Sequence, residues 1–121
     1  MSSMNALRHL SKIFAALVFG HASVAGAAVY DNMTIDYVGV VSWVPQYSGF
    51  VAFVGAIPTG LAGQLPNPCV NGVATFDPSQ TYSKYWYMAF LTAKASALKV
   101  QVEISQDTYN NCFVSSARLK E

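Results

Sequence analysis

The segment from Leu98 to Ser105 alternates between apolar and polar residues without interruption. The apolar positions are Leu98, Val100, Val102 and Ile104, and lysine, glutamine, glutamate and serine fill the others. Because successive side chains of a strand point to opposite faces, this period of two predicts a β-strand with one buried face and one solvated face. The chain must therefore form a sheet whose core lies on one side of this strand.

Four other segments are rich in β-branched and aromatic residues, which favour strands. They cover residues 33–44, 50–56, 70–76 and 112–119. In the first, the side chains that share one face by the same period are Ile35, Tyr37, Val41 and Trp43. Pro45 and the Tyr47-Ser48-Gly49 turn join the first two strands as a hairpin. Residues 57–68 hold three prolines and two glycines, which predicts a loop.

A helix is predicted over residues 79–97. Asp77 is its expected cap, Pro78 its first residue and Gln80 the partner in a capping box, so a catalytic role for Asp77 has little support. At 100° per residue, one stripe of the helix is expected to face the core. That stripe consists of Tyr82, Trp86, Ala89, Ala93 and Ala97.

Met88 and Leu91 point almost opposite to that stripe, where a lone domain would favour charge. Two interpretations remain open. Scattered surface hydrophobic residues are common, and the long loop could also cover them. Alternatively, the two side chains form a self-association face that a second copy of the chain buries.

The amino terminus has the order of a secretory signal peptide. Arg8 and Lys12 precede an apolar run, and small residues lead to Ala27, after which we predict cleavage. The predicted organisation is a signal peptide at residues 1–27 and a single domain at residues 28–121. A retained membrane anchor is the alternative, but the apolar run is shorter than the roughly 20 residues that cross a bilayer. The mature protein is expected to be secreted or periplasmic, with no membrane contact.

Cys69 and Cys112 are the two cysteines of the chain. In an oxidising compartment, two cysteines of a small domain most often form a disulfide bond, which we predict here. The alternative is a redox-active thiol, which usually occurs in a close Cys-x-x-Cys pair rather than at this distance in sequence.

Signal removal changes the available chemistry. Loss of Arg8 and Lys12 leaves five Lys or Arg against six Asp or Glu, so the mature net charge is −1 and nucleic-acid binding has no support. His9 and His21, the two histidines, lie in the predicted signal peptide. The mature chain therefore lacks a histidine for a Ser-His-Asp triad, a general base or a zinc site. No cofactor motif is present, and no cofactor is expected.

Carboxylates and aromatic rings are the remaining candidates for function. Asp36, Glu103 and Asp107 have no role in a predicted cap and could serve a small carboxylate-based hydrolase, although solvated surface charge explains them as well. Aromatic rings near turns can stack on sugars or anchor partners, although rings of this kind also fill cores. The candidate surface for a glycan or protein partner consists of Trp43, Tyr47 and Tyr109.

The predicted fold is mainly β with one helix, in the order β-β-β-α-β-β. This is the order of the five-stranded OB-fold barrel. The stretch from Phe76 to Val102, with Phe76-Asp77-Pro78 and Leu91-Thr92-Ala93-Lys94-Ala95-Ser96, resembles a family of small exported bacterial proteins of unassigned function. That family often has glycine after the helix, where this chain has Ala97.

Size, signal peptide, cysteine pair and element order are more distantly similar to the B subunits of AB5 toxins of the subtilase cytotoxin type. This resemblance implies an OB-fold whose helix lines a ring of subunits. The leading expectation is an exported, non-enzymatic binding module for a glycan or protein partner, able to form a homo-oligomer. The alternatives are a small secreted hydrolase and a structural or inhibitory envelope protein without a small ligand.

Overall fold

A computed structural model describes residues 24–43 and 46–120. The elements are β1 (Val24–Val40), β2 (Gly49–Phe53), β3 (Ala74–Phe76), α1 (Thr81–Ser96), β4 (Lys99–Asp107) and β5 (Cys112–Leu119). A short 3₁₀ turn, Val70–Gly72, precedes β3 where the sequence predicted the start of a strand. The left-handed φ of 59° at Asn71 breaks that strand, as the Asn71-Gly72 pair favours a turn.

The five strands form a closed barrel in the order β1-β2-β3-β5-β4. Neighbouring strands are antiparallel except β3 and β5, which are parallel and pair Ala74 with Cys112 and Thr75 with Phe113. Within the described residues, the predicted β barrel with a single helix between its third and fourth strands is therefore confirmed, and its topology is consistent with an OB-fold.

Bulges shift which face of β1 points into the barrel. The pairing register with β2 shifts between Ile35 and Tyr37, so one extra residue reverses the alternation beyond that point. Ile35 is buried as predicted, but Tyr37 is exposed, and Val38 and Val40 pack against the core instead. The prediction that Tyr37 shares a face with Ile35 was wrong for this reason, and Val41 and Trp43, predicted on the same face, lie beyond the end of β1 and are exposed.

Strand β4 fits its sequence pattern. Val100, Val102 and Ile104 are fully buried in the barrel core. Leu98 was expected to point inward with them, but it precedes the strand and is exposed. The alternation therefore identifies the strand correctly and fails only where the strand has not yet begun.

Helix α1 contacts β1, β4 and β5, and its Phe90 ring contacts Phe53 of β2 and Phe76 of β3. A helix that touches every strand of a closed barrel lies across its end. Phe90 is fully buried there, and Ala93 and Ser83 are buried beside it. The predicted core stripe was therefore wrong in part, because Tyr82 and Ala97 are exposed while Phe90 occupies the core.

The helix ends at Ala97, which has a left-handed φ of 56°. The Leu98 N–H then donates a hydrogen bond to the carbonyl of Ala93 at 3.0 Å. This is the terminus that glycine suits best, since the left-handed conformation costs an L-residue roughly 1–2 kcal/mol. The chain therefore makes the left-handed helix cap without glycine.

Two polar side chains hold the long loop between β2 and β3 on the barrel. The hydroxyl of Tyr30 donates to the carbonyl of Pro58 at 2.5 Å and accepts from the Leu65 N–H at 3.0 Å. Gln106 is fully buried, and its amide donates to the Asn67 carbonyl at 2.8 Å. Since its buried polar groups are paired in this way, the loop has a defined path.

The disulfide between Cys69 and Cys112 is confirmed, with a Cα–Cα distance of 5.6 Å. It joins the end of the long loop to the start of β5, next to the parallel pairing of β3 with β5. The end of the loop, the 3₁₀ turn and β5 are therefore fixed to one another.

Of the predicted signal peptide, residues 1–23 lie outside the described residues. The remaining four residues, 24–27, belong to β1, where Gly26 pairs with Gln106 and Ala27 with Ser105 of β4. Cleavage after Ala27 would remove these pairings and leave β1 to begin at Ala28, which pairs with Ile104. The cleavage position stays a prediction. Within the described residues, no helix is both long enough and apolar enough to span a membrane.

Candidate functional site

A cavity of about 670 Å³ lies where the helix begins beside the barrel. Its volume is within the roughly 300–1,000 Å³ range of small-molecule sites. Four parts of the chain line it: the turn between β1 and β2, β3 with the turn after it, the first part of α1, and β5. The lining residues are Gln46, Tyr47, Thr75, Phe76, Asp77, Gln80, Tyr82, Ser83, Trp86, Phe113, Val114 and Ser115.

Aromatic rings form two of its walls. Tyr82 and Trp86 are four residues apart on α1, so their rings lie on the same helix face, with centroids 5.0 Å apart. The ring of Tyr47, which also lines the cavity, packs against Phe113 of β5 with centroids likewise 5.0 Å apart. Such pairs offer flat apolar surface next to polar groups, an arrangement that suits ligands with one apolar face and several hydroxyl groups.

Asp77 provides a carboxylate in this cavity. The Ser79 hydroxyl donates to Asp77 Oδ1 at 2.6 Å, and the Ser79 N–H donates to the same oxygen at 3.0 Å. These two hydrogen bonds, the hydroxyl first, hold the pKa of Asp77 below its usual value. The side chain is therefore negatively charged at neutral pH and a poor proton donor.

The prediction that Asp77 caps the helix was wrong, because Gln80, three positions later, is the residue at the cap. The helix begins at Thr81 rather than Ser79, and the flanking Gln80 makes no side-chain capping bond. Asp77 instead closes a separate turn, in which its carbonyl accepts from the Gln80 N–H at 3.2 Å. The capping motif correctly identified a carboxylate that binds nearby N–H groups, but it misplaced the start of the helix.

Ser83 lies in the first turn of the helix, at the wall of the same cavity. The residue is only 1% exposed, and its hydroxyl has no hydrogen-bond partner in the described structure. A buried hydroxyl without a partner is uncommon, because losing water without gaining a bond costs about 1–3 kcal/mol. The position therefore offers both a donor and an acceptor to a bound molecule.

A smaller cavity of about 370 Å³ adjoins the first. Tyr47, Thr75 and Phe113 line both cavities. The remaining lining residues of the smaller one are Val70, Asn71, Val73, Asn111 and Cys112. Because three lining residues are shared, the two cavities are adjacent, with the ring pair of Tyr47 and Phe113 between them, and together they are called the groove.

The three rings proposed from sequence as a partner or glycan surface are all exposed, but they do not line one site. Tyr47 lines both cavities, and its left-handed φ of 61° is uncommon for a bulky residue. Trp43 packs edge-on against Tyr87, with centroids 5.8 Å apart, and does not line the groove. Tyr109 lies in the turn between β4 and β5, also away from the lining.

The three carboxylates considered for a hydrolase do not line the groove. Asp107 shapes the β4–β5 turn, where it accepts from the N–H groups of Tyr109 at 2.8 Å and Asn111 at 2.9 Å. Burial acts to raise its pKa, but the hydrogen bonds from Asn111 and Tyr109 outweigh it and lower the pKa. Asp36 lies at the bulge of β1, and Glu103 is in the middle of β4. The described residues contain no cluster of three metal-binding side chains.

Met88 and Leu91 are exposed on α1 to 59% and 43%, as the helix phase predicted. Tyr85 lies on the same outer side and is exposed to 66%. These side chains do not line the groove. The helix therefore has two distinct exposed regions, one that borders the groove at Tyr82 and Trp86 and one that faces away from it.

Sequence reasoning missed most of the groove. It assigned Tyr82 and Trp86 to the core stripe and gave no role to Ser83, Thr75 or Phe113. The spacing of Tyr82 and Trp86 could have identified one aromatic wall, since residues four apart on a helix are neighbours. Thr75 and Phe113 become neighbours only through the parallel pairing of β3 with β5, which no local pattern contains.

No protein-family model, curated protein or solved structure matches this chain significantly. The described architecture places it in the class of small, disulfide-bonded β barrels with one helix. The resemblance to exported bacterial proteins and to toxin B subunits stays an expectation from sequence.

Proposed function

We propose that this chain is an exported, non-enzymatic binding module whose groove recognises a carbohydrate. The observation that supports this most directly is the composition of the larger cavity. Two aromatic pairs line it together with hydroxyl, amide and carboxylate groups, and this combination suits the apolar faces and hydroxyl edges of a sugar.

A hydrolase has less support in this geometry. Glycoside hydrolysis normally requires two carboxyl groups roughly 5–9.5 Å apart across the bond that breaks. Among the described residues, Asp77 is the one carboxylate that lines the groove, and its lowered pKa does not suit a general acid. Binding without chemistry requires neither a carboxylate pair nor a histidine.

Function outside the cytoplasm is part of the proposal. The disulfide between Cys69 and Cys112 is typical of proteins of oxidising compartments, and the amino terminus has the order of a signal peptide. Amino-terminal sequencing of the protein recovered from the periplasm or the medium would establish both export and the cleavage position.

Two matched pairs of tyrosines test whether the groove is the binding site. On α1, Tyr82 lines the groove, while Tyr85 is similarly exposed and does not. We expect Tyr82→Ala to weaken binding of a glycan identified on an array by about tenfold, equivalent to ~1.4 kcal/mol. Tyr85→Ala should leave the affinity within about twofold.

Tyr47→Ala and Tyr109→Ala form the second pair, since both tyrosines lie in turns and only Tyr47 lines the groove. Calorimetric titration of each variant with the same glycan gives the affinities, and circular dichroism confirms that each variant is folded. Equal losses for lining and non-lining tyrosines would place the binding surface elsewhere. Absence of any glycan bound by the wild type would contradict the proposed function itself.

Self-association through the outer face of α1 is the second part of the proposal. Met88 and Leu91 are exposed apolar side chains of this face, and a second copy of the chain would bury them. We expect the wild type to be oligomeric at tens of micromolar in light scattering, and Met88→Glu/Leu91→Glu to be monomeric with an unchanged circular dichroism spectrum.

A control pair adds the same charge at apolar residues elsewhere. Val54 and Leu61 are exposed to 59% and 71%, and neither is on the helix. Val54→Glu/Leu61→Glu should leave the oligomer intact. A wild type that is already monomeric would exclude the proposed face.

A further inference from the structure

We infer that the groove selects uncharged oligosaccharides of two or more sugar units and rejects sugars that bear carboxylate or sulfate groups. This inference rests on the proposed function, because it assigns a ligand class to the same groove. It follows from three features: the length of the groove, the charge of its lining and the polar groups of its lining.

The groove is longer than one sugar unit. Its two cavities, about 670 and 370 Å³, meet at the ring pair of Tyr47 and Phe113. A ligand seated against Tyr82 and Trp86 in the larger cavity would therefore extend past this ring pair into the smaller one. There the amide side chains of Asn71 and Asn111 lie in its lining.

The charge of the lining is negative. Asp77 is the one Asp, Glu, Lys or Arg among the described residues that line either cavity. The amino terminus of a helix ordinarily attracts anions, but here Asp77 already lies three residues before Gln80 and accepts from Ser79 and Gln80. An acidic sugar would place a second negative charge near Asp77 with no cation in the lining to offset it.

The polar groups that face the groove suit hydroxyl groups instead. Ser83, at the wall of the larger cavity, has a buried hydroxyl without a partner in the described structure, so its donor and its acceptor are both unused. Gln46 contributes an amide that donates and accepts. The Gln80 amide also donates to Asp77 at 3.5 Å, and the Ser115 hydroxyl is paired with that of Ser105 at 2.6 Å, so each retains part of its hydrogen-bonding capacity for a ligand. A neutral sugar presents donors and acceptors in the same combination, whereas a carboxylate or sulfate presents acceptors alone.

The test compares glycans with and without an acidic group, and neutral glycans of increasing length. Immobilised N-acetyllactosamine chains of one, two and three repeats are presented with and without a terminal sialic acid or a sulfate group, beside neutral glucose and mannose oligomers of one to four units. Among the neutral glycans, we expect the wild type to bind those of two sugar units more tightly than single sugars. It should bind the acidic counterpart of any bound glycan at least about tenfold more weakly.

Asp77→Asn removes the charge and keeps the shape, so the preference for the neutral member should fall by about tenfold or more. Asp36→Asn is the matched control, because it removes the same charge from an exposed carboxylate outside the groove. If Asp77→Asn does not fold, Ser115→Lys places a cation at an exposed position in the lining and should raise affinity for the acidic members.

Each outcome is decisive. Equal or tighter binding of the acidic glycans by the wild type overturns the charge inference and leaves the proposed carbohydrate function standing. Equal binding of single sugars and of glycans with two sugar units overturns the inference about length. Failure of the wild type to bind any carbohydrate in the panel overturns the proposed function together with this inference.

Discussion

Replacement of both cysteines by alanine, Cys69→Ala/Cys112→Ala, is expected to lower the free energy of unfolding by about 4 kcal/mol. The bond joins residues separated by 43 positions, and the lost constraint on the unfolded chain accounts for this value. Natural domains are stable by only about 5–15 kcal/mol, so the variant should be close to unfolded at physiological temperature. Alanine is preferred to serine because Cys112 is buried and a serine hydroxyl there would be costly.

Urea denaturation of the wild type, with and without a reductant, provides the comparison. The reductant should reduce the stability of the wild type towards that of the double alanine variant, and it should not affect the variant. A loss below about 1 kcal/mol would show that the bond adds little to the stability. The result also bears on the groove, because Cys112 lines its smaller cavity.

The fold could be predicted from sequence where the relevant forces are local. The alternation through Val100, Val102 and Ile104 identified β4, since each of these side chains points inward along an uninterrupted stretch. The element order then restricted the topology to a small barrel. The bulge between Ile35 and Tyr37 could not be predicted, because it arises from the curvature that closes the barrel rather than from a local residue preference.

For the helix, too, local sequence predicts some features, while others depend on tertiary packing. Its existence and its approximate ends follow from the residues, but its inner face depends on how the helix crosses the barrel. The periodicity favoured a stripe through Trp86 and Ala93, whereas the barrel end receives Phe90, Ser83 and Ala93. Trp86 remains half-buried beside Tyr82, so a ring assigned to the core borders the groove.

The candidate site was even less accessible to sequence reasoning. Tyr47 was chosen because it lies in a turn, and it does line the groove. Its partner Phe113 comes from the last strand, 66 positions later in the numbering, and reaches it only in the closed barrel. Polar groups such as Ser83 gain significance only when burial and missing partners are known.

Truncation of the largest helix side chain in the core should have a comparable effect on stability. Phe90 is fully buried, with its ring centroid 6.5 Å from that of Phe53 and 6.2 Å from that of Phe76. Phe90→Ala is expected to lower the free energy of unfolding by about 3–5 kcal/mol, through lost burial and the cavity left between helix and barrel. Urea denaturation monitored by circular dichroism measures the change.

In protein dilute enough to be monomeric, Met88→Ala is the matched control, because Met88 lies half a turn away on the same helix and is exposed in the monomer. Its effect should stay within about 0.5 kcal/mol, since little apolar surface is lost. If Phe90→Ala does not fold in water, Phe90→Leu keeps most of the volume and should show a smaller loss in the same direction. Comparable losses in the free energy of unfolding for Phe90→Ala and Met88→Ala would contradict the finding that Phe90 faces the core and Met88 faces solvent. They would also undermine the position of Tyr82 and Trp86 at the groove, because the same helix rotation places Phe90 in the core and these two rings at the cavity wall.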